Sequence, residues 1–409
     1  MTGTRPAGGQ GGRGQGGQGQ RFAALDGMRA IACYAVMATH VGFATAESFG
    51  AHPLAPWISR LDASVPIFLM LSGFLLYRPF LANRFRGRPA PEVGEFYWRR
   101  AVRVLPAFWL ANAVTLGLLT SRRASPGDWL SYLTLTQTYD HHNVDPSLTH
   151  MWTLVVEVSF YLVLPAIALS LRRPGSANQV LGEQVTLLAL LFAGSVGWQL
   201  LAFHLPALGV PALDWLPGTI DWFALGMLLA LLSVSPAGCT ALARPRQWLA
   251  QWAGAPGQCW LAAFVLYWFI TLPVGGPLGL EQSTGWQHVT KNVGEGVLVF
   301  LMMLPLTLGG EAGLVGRLLG NRVARFFGEI SYGVYLWHLP MLILLQRDLH
   351  LPVFQGHYWE TFGLTAISAT ALGTLSWFCF ERPLLRRFSR PSWRQPAATA
   401  SVTPAMQSS

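Results

Sequence analysis

Long apolar runs broken by short polar segments recur along almost the whole chain. Runs of about twenty apolar residues are the signature of membrane-crossing helices. They predict ten helices, over 25–46, 63–82, 102–120, 152–171, 183–203, 219–235, 258–274, 289–308, 328–346 and 361–380, with the sixth and seventh the shortest. Glycine and proline occur within these runs, which membrane helices tolerate better than soluble ones. The polar breaks hold arginine unevenly. One set of loops carries Arg84, Arg86, Arg88, Arg99, Arg100 and Arg103, then Arg172 and Arg173, Arg244 and Arg246, and Arg317, Arg322 and Arg325. Both tails share this richness, whereas the alternate loops hold only Arg60, Arg122, Arg123, Lys291 and Arg347. The positive-inside rule then sets both termini in the cytoplasm with an even number of spans.

Composition agrees with this reading. Of 409 residues, 52% are hydrophobic and 11% charged, against about 25% charged in an ordinary soluble domain. The formal net charge of +9 is almost entirely arginine, Lys291 being the single lysine. Because those arginines sit between apolar spans, they speak for topology rather than for nucleic acid. The expected fold is therefore an all-α, polytopic membrane helix bundle over 21–388. Gly/Gln-rich residues 1–20 and the Pro/Ala/Ser/Thr-rich residues 389–409 are expected to be disordered tails. Cys33, Cys239, Cys259 and Cys379 show no paired spacing and read as free thiols. In the outer segment 121–151, Asp140, His141, His142, Asn143 and Asp145 raise a metal reading. No ligand pair at helical spacing supports it, and no metal is expected.

Candidate chemistry starts in the first helix. Arg29 and His40 are eleven residues apart, three turns plus roughly 20°, so they share one face about 16 Å apart along the axis. Ionisable residues inside a membrane helix usually face a bundle interior or a wet cavity. In the fourth helix, Glu157 lies about 8 to 9 Å below the outer surface, a depth that matches His40. A neutral imidazole suits the removal of a proton from an attacking alcohol, and a carboxylate would orient it, so His40 and Glu157 are the candidate catalytic pair. At the cytoplasmic end of the third helix stand Arg99, Arg100 and Arg103. Arginines there often serve topology alone, but guanidinium groups also bind phosphate bidentately. Together with Arg29 they form a candidate cradle for the phosphates of coenzyme A. In the ninth helix Ser331, Tyr335 and His338 are spaced to share a face, which raises a Ser–His pair without an evident orienting group. With Trp152 they form a second candidate site. Glu295 is an intramembrane carboxylate with no assigned partner, Asp221 is shallow enough to be solvated, and an inner-surface ion pair accounts for Glu381-Arg382.

Taken in order, these segments resemble acyltransferase family 3, the integral membrane O-acyltransferases. The resemblance rests on Leu25-Asp26-Gly27-Met28-Arg29 through His40, Val65-Pro66 through Ser72-Gly73-Phe74, and Arg99-Arg100 with Arg103. It continues through Trp152-Thr153-Leu154 to Glu157 and Tyr161, then Ser331-Tyr332 with Tyr335-Leu336-Trp337-His338, and Glu381-Arg382-Pro383. It implies ten core helices, acyl-CoA as co-substrate with no permanently bound cofactor, and a hydroxyl acceptor such as a sugar, glycolipid or glycosylated metabolite. It also implies a multi-pass protein of the cell membrane that does not engage nucleic acid. Carried over residue by residue, it makes Arg29, His40, Arg99 and Arg100 essential, and Glu157 and His338 weaker transfers. Thr153 and Val158 depart from the family's Trp-Ser-Leu and paired-acid pattern, which removes any second carboxylate there.

Two other readings use the same residues. A transporter would line its substrate or proton route with them, but no pair of halves with matching helix breaks is visible. A structural scaffold explains the topology and leaves Arg29, His40 and Glu157 without a purpose.

Overall fold

The computed structural model describes residues 22–119, 123–139, 145–170, 175–205, 210–236, 238–278, 281–309, 313–351 and 353–388. The two expected tails, and residues 140–143 of the metal reading, lie outside them. Among the described residues there is no strand, and each of the ten expected spans coincides with a helix. They are α1 (Ala23–Ala44), α2 (Val65–Phe85), α3 (Val93–Val114), α4 (Trp152–Ser170) and α5 (Ala177–His204), then α6 (Leu216–Val234), α7 (Pro256–Thr271), α8 (Gly285–Leu308), α9 (Arg322–Asp348) and α10 (Tyr358–Ser376).

Seven of these (α2 to α6, α8 and α10) are long and apolar enough to cross a membrane. The 16-residue α7 follows Ala243–Ala253 at a 93° bend, and that pair counts as an eighth only if it is one broken span. Helices α1 and α9 are long enough, at 22 and 27 residues, but fall outside the apolar set. Their polar residues explain the difference: Asp26, Arg29 and His40 in α1, and Arg325, Glu329 and His338 in α9. The two helices pack against one another, so that His40 and His338 meet inside protein instead of lipid, while Glu329 stays exposed.

Local signals set several helix starts. Ser176 with Gln179 and Thr284 with Gln287 form reciprocal capping boxes at α5 and α8, and Asn321 caps α9 by accepting from the Ala324 amide at 2.8 Å. Each satisfies amide donors that have no partner within the helix. Pro79, Pro106, Pro165, Pro305 and Pro340 lie inside α2, α3, α4, α8 and α9; neighbouring helices make such breaks tolerable in a membrane.

Packing gives the bundle a small apolar cluster at Ala202, Ala212 and Leu213 and two large cores. One is built mainly from α2, α4, α6 and α8, the other from α1, α3, α9 and α10. Helix α1 passes from the first to the second: Leu25, Met28 and Ala32 lie in one, Cys33, Val36, Met37 and Val41 in the other. Small residues let the backbones approach. A Cβ on Gly226 of α6 would sit 2.0 Å from the Met70 carbonyl oxygen of α2, and one on Gly328 of α9 would sit 2.2 Å from that of Asp26 in α1. Close backbone approach of this kind is how membrane helices gain contact without a hydrophobic driving force. The second approach fixes α9 against α1, and so determines which side chains of α9 face Arg29 and His40.

Candidate active site

A cavity of about 100 Å³ lies at the seam between the two cores. Phe68 and Tyr332 line it and pack against both cores. Its polar lining comes from five helices, beginning with Arg29 of α1, Ser72 of α2, Arg100 and Arg103 of α3, and Thr153, Glu157 and Tyr161 of α4. Ser331, Tyr332 and Tyr335 of α9 complete it. Glu157 Oε1 accepts from Ser72 Oγ at 2.5 Å and from the Tyr161 hydroxyl. Arg29 pairs with Asp26 one turn earlier, at 3.1 Å. Three guanidinium groups thus share a small cavity with one carboxylate already engaged by two hydroxyls. Such a surplus of forked donors is suited to an anion, phosphate above all.

A second, roomier cavity of about 400 Å³ adjoins the first, sharing Leu75, Leu76 and Arg100 with it. Arg99 lines this outer chamber with Glu92 and Glu95, is 54% exposed and pairs with Glu95. The four arginines expected to act as one cradle are therefore split. Arg29, Arg100 and Arg103 converge, Arg99 stands at the mouth, and Arg100 belongs to both chambers.

At the other end of the polar stripe, His40 meets His338. Their Nδ1 and Nε2 atoms are 2.9 Å apart, with the rings stacked at 5.1 Å. His338 Nδ1 lies 2.6 Å from the Tyr335 carbonyl oxygen, which can only accept, so Nδ1 carries the hydrogen. In the neutral ring Nε2 then holds the lone pair and accepts from His40 Nδ1–H. This leaves His40 Nε2 as a bare acceptor, the form a general base requires. The backbone carbonyl and His338 together do what an orienting carboxylate does elsewhere: they fix tautomer and ring direction.

That arrangement corrects the expected partnerships. Glu157 was expected at the depth of His40, but His150 holds that level, and Glu157 lies seven residues, about 10 Å, farther along, lining the arginine cavity and bonded to Ser72 and Tyr161. Counting residues from the start of an apolar run misplaces the depth, because the capped turn Pro146–Met151 already lies inside the bundle at the level of His40. Ser331 and His338 form no nucleophilic pair. Ser331 Oγ donates to the Gly328 carbonyl at 2.9 Å, and His338 is engaged at both nitrogens. Trp152 packs against the first core and does not line the cavity. Tyr335, by contrast, sits between the two polar centres. Its hydroxyl engages Thr153 Oγ1 at 2.7 Å and the His150 carbonyl at 2.8 Å, while its ring centroid lies 5.4 Å from that of His338.

His150 was not singled out by sequence reasoning. It is buried at 1% exposure in the short helical turn Pro146–Met151 ahead of α4, and its ring lies 4.7 Å from that of His338. Its proximity to α9 carries no sequence signal beyond the His-x-Trp spacing to Trp152. The turn is held in place by Asp145, which caps it through the Ser147 amide at 2.9 Å. The Asp145 amide in turn donates to the Tyr132 hydroxyl at 2.9 Å. Burial pushes the Tyr132 phenol up to about 12, so it stays neutral and can accept that bond.

Elsewhere in the bundle several buried charges have partners. Asp221 is fully buried rather than solvated, accepting from Ser195 Oγ at 3.0 Å and Asn292 Nδ2 at 2.6 Å. Lys291 bonds Asp62 and lies 3.6 Å from Glu295, which supplies the partner missing from the sequence reading. Arg60 donates to the carbonyls of Ile270, Gly275 and Gly276. Glu381 accepts from Ser376 Oγ at 2.8 Å, and Arg382 stacks over Phe378. All four cysteines are free. Among the described residues no group of three or more His, Cys, Asp or Glu side chains is arranged to hold a metal ion.

A multi-pass helical bundle with an arginine-lined cavity and a polarised imidazole pair is the class that fold and site define. The acyltransferase-domain model of family 3 matches residues 22–381, and the chain belongs to that family. It is 23% identical to the peptidoglycan O-acetyltransferase OatA of Listeria monocytogenes over 386 residues, 88% of this chain and 55% of that protein. It is 25% identical to YrhL of Bacillus subtilis, over 90% of this chain and 56% of that protein. Nodulation protein 10 of Rhizobium leguminosarum bv. viciae is 25% identical over 81% of this chain and 84% of its own length. The chain thus spans little more than half the length of the first two. No solved structure matches.

Proposed function

We propose that this protein is a membrane O-acyltransferase that moves a short acyl group, acetyl above all, from cytosolic acyl-CoA to a hydroxyl of a carbohydrate acceptor. One observation carries the reading: the same helix face presents Arg29 to an anion-suited cavity and His40 to an imidazole partner three turns away. In this reading Arg29, Arg100 and Arg103 hold the phosphates of coenzyme A, with Arg99 drawing the anion into the outer chamber. The pantetheine arm spans the roughly 16 Å between the two ends of the stripe. Thr153 and Tyr335, which are hydrogen-bonded to one another across the cavity lining, turn aside to let the thioester reach His40.

His40 Nε2 takes the acceptor's proton as its oxygen attacks the thioester carbonyl. The new C–O bond forms, the C–S bond breaks, and the proton held by the imidazole passes to the departing thiolate. Glu157 serves the arginines here: it balances part of their charge and holds the Ser72 and Tyr161 hydroxyls. The small cavity favours a short acyl chain. The name of the peptidoglycan O-acetyltransferase relative supports an acetyl group and a carbohydrate acceptor. The arginine distribution supports a cell-membrane protein with both termini cytoplasmic.

The test uses purified protein in lipid nanodiscs, labelled acetyl-CoA and glycan strands of peptidoglycan. Wild type binds the donor and labels the glycan; His40→Ala binds the donor and labels nothing. Folded wild-type protein that binds no acyl-CoA, or transfer retained in His40→Ala, overturns the reading.

A further inference from the structure

We infer that His150 is an acceptor-binding residue: its buried imidazole hydrogen-bonds a second hydroxyl of the molecule whose reacting hydroxyl faces His40. The inference rests on the proposed transfer to a polyhydroxylated acceptor and adds to it a second point of attachment.

Three imidazoles cluster at the upper end of α1. His338 is committed at both nitrogens and His40 at one. His150 is committed at neither: both ring nitrogens are buried without a hydrogen-bond partner. Backbone groups of Tyr335 and Leu336 lie near the ring but out of hydrogen-bond geometry. A neutral imidazole always presents one donor and one acceptor, and native proteins rarely bury such groups unpaired without a reason. Packing alone does not supply one, since a phenyl ring would fill the same place edge-on to His338 and Tyr335 without stranding two polar atoms.

The surroundings show that the ring is held for use. The His150 carbonyl receives the Tyr335 hydroxyl at 2.8 Å, which in turn accepts from Thr153 Oγ1 at 2.7 Å, so its backbone is pinned while its ring nitrogens are left unpaired. Its ring centroid lies 6.3 Å from that of His40. Two imidazoles at that separation can grip two hydroxyls of one sugar, one by the base and one by the unpartnered ring. A hydroxyl is the natural match for the vacant nitrogens, because it both donates and accepts. The ligand class is therefore a polyol, not an isolated alcohol.

The experiment measures acetyl transfer from labelled acetyl-CoA to an N-acetylglucosamine oligosaccharide and to its singly deoxygenated analogues. Wild type, His150→Phe and His150→Gln are compared, with acetyl-CoA binding as the check on folding. The expected result is an acceptor KM raised roughly tenfold in His150→Phe and partly restored in His150→Gln, with donor Kd within about twofold of wild type. One deoxygenated analogue should also lose about tenfold in wild type and nothing further in His150→Phe. An unchanged acceptor KM in His150→Phe, or a wild type indifferent to every deoxygenation, overturns the His150 assignment and leaves the acyltransferase reading standing. If His150→Phe fails to bind donor, the His150→Gln variant and the wild-type analogue series decide. Wild-type protein that binds acetyl-CoA yet acetylates none of these sugars overturns the carbohydrate reading, and His150 with it.

Discussion

His40 and His338 are joined by a single hydrogen bond of 2.9 Å, and the Tyr335 carbonyl behind them gives that bond its direction. A proton on His338 Nδ1 forces a lone pair onto Nε2, and the chain of constraint ends at His40 Nε2. A histidine thus acquires the orientation of a base from another histidine and a backbone oxygen, with no carboxylate in contact.

From this follows a graded effect of substitution. Removing the base itself, His40→Ala, should lower transfer by roughly 10²- to 10⁴-fold. His338→Ala leaves the base present but free to rotate and to change tautomer, so a smaller loss in kcat, on the order of 10- to 100-fold, is expected. Donor affinity should stay within about twofold in both. Equal losses in the two variants would show that His338 reacts directly and does not orient.

The split of the arginines gives a second expectation. Arg100 lines both chambers, whereas Arg99 is 54% exposed and paired with Glu95. Arg100→Ala should therefore weaken acetyl-CoA binding by at least about tenfold, as for loss of a charge-assisted hydrogen bond. Arg99→Ala should cost about threefold or less, and that part should shrink with added salt because the site is open to water. Isothermal titration at two ionic strengths separates the two; a larger effect at Arg99 would contradict the assignment of the cavities.

Glu157 offers a stability measurement. Glu157→Ala strands the Ser72 and Tyr161 hydroxyls beside three guanidinium groups, and each unpaired buried group costs about 1–3 kcal/mol. A lowered unfolding midpoint in detergent is expected, with a smaller drop for Glu157→Gln, which still accepts both hydrogen bonds. If Glu157→Ala melts like wild type, the carboxylate is not the structural centre of the cavity.

Helix approach can be tested at a distance from any polar group. A Cβ at position 328 would meet the Asp26 carbonyl oxygen at 2.2 Å, and the obstacle is backbone that cannot rotate away. Gly328→Ala should push α9 off α1, destabilise by about 1–3 kcal/mol and lower kcat by disturbing His40–His338. Gly182, where a Cβ meets nothing within 4 Å, is the control; Gly182→Ala should leave both stability and kcat close to wild type.

The sequence by itself determined the helices and the polar stripe of α1. Twenty-residue apolar runs leave the backbone no option in lipid except the helix, and the 100° step per residue puts Arg29 and His40 on one face wherever α1 sits. It also pointed to Arg100, Arg103, Glu157, Tyr335 and His338 as residues of interest, because charge and polarity stand out against so apolar a background.

Only the tertiary structure decided who meets whom. Glu157 was the expected neighbour of His40 from a residue count, yet the turn carrying His150 occupies that level and sets Glu157 about 10 Å farther along, beside the arginines. Close packing at Gly328 turned α9 so that His338 took the place next to His40, and Glu157 was left to Ser72, Tyr161 and the arginines. His150 reached the imidazole cluster through a capped turn ahead of α4, where no periodic pattern points. Helix–helix contact is set by side-chain volume summed over several helices at once, and no single stretch of sequence contains that sum.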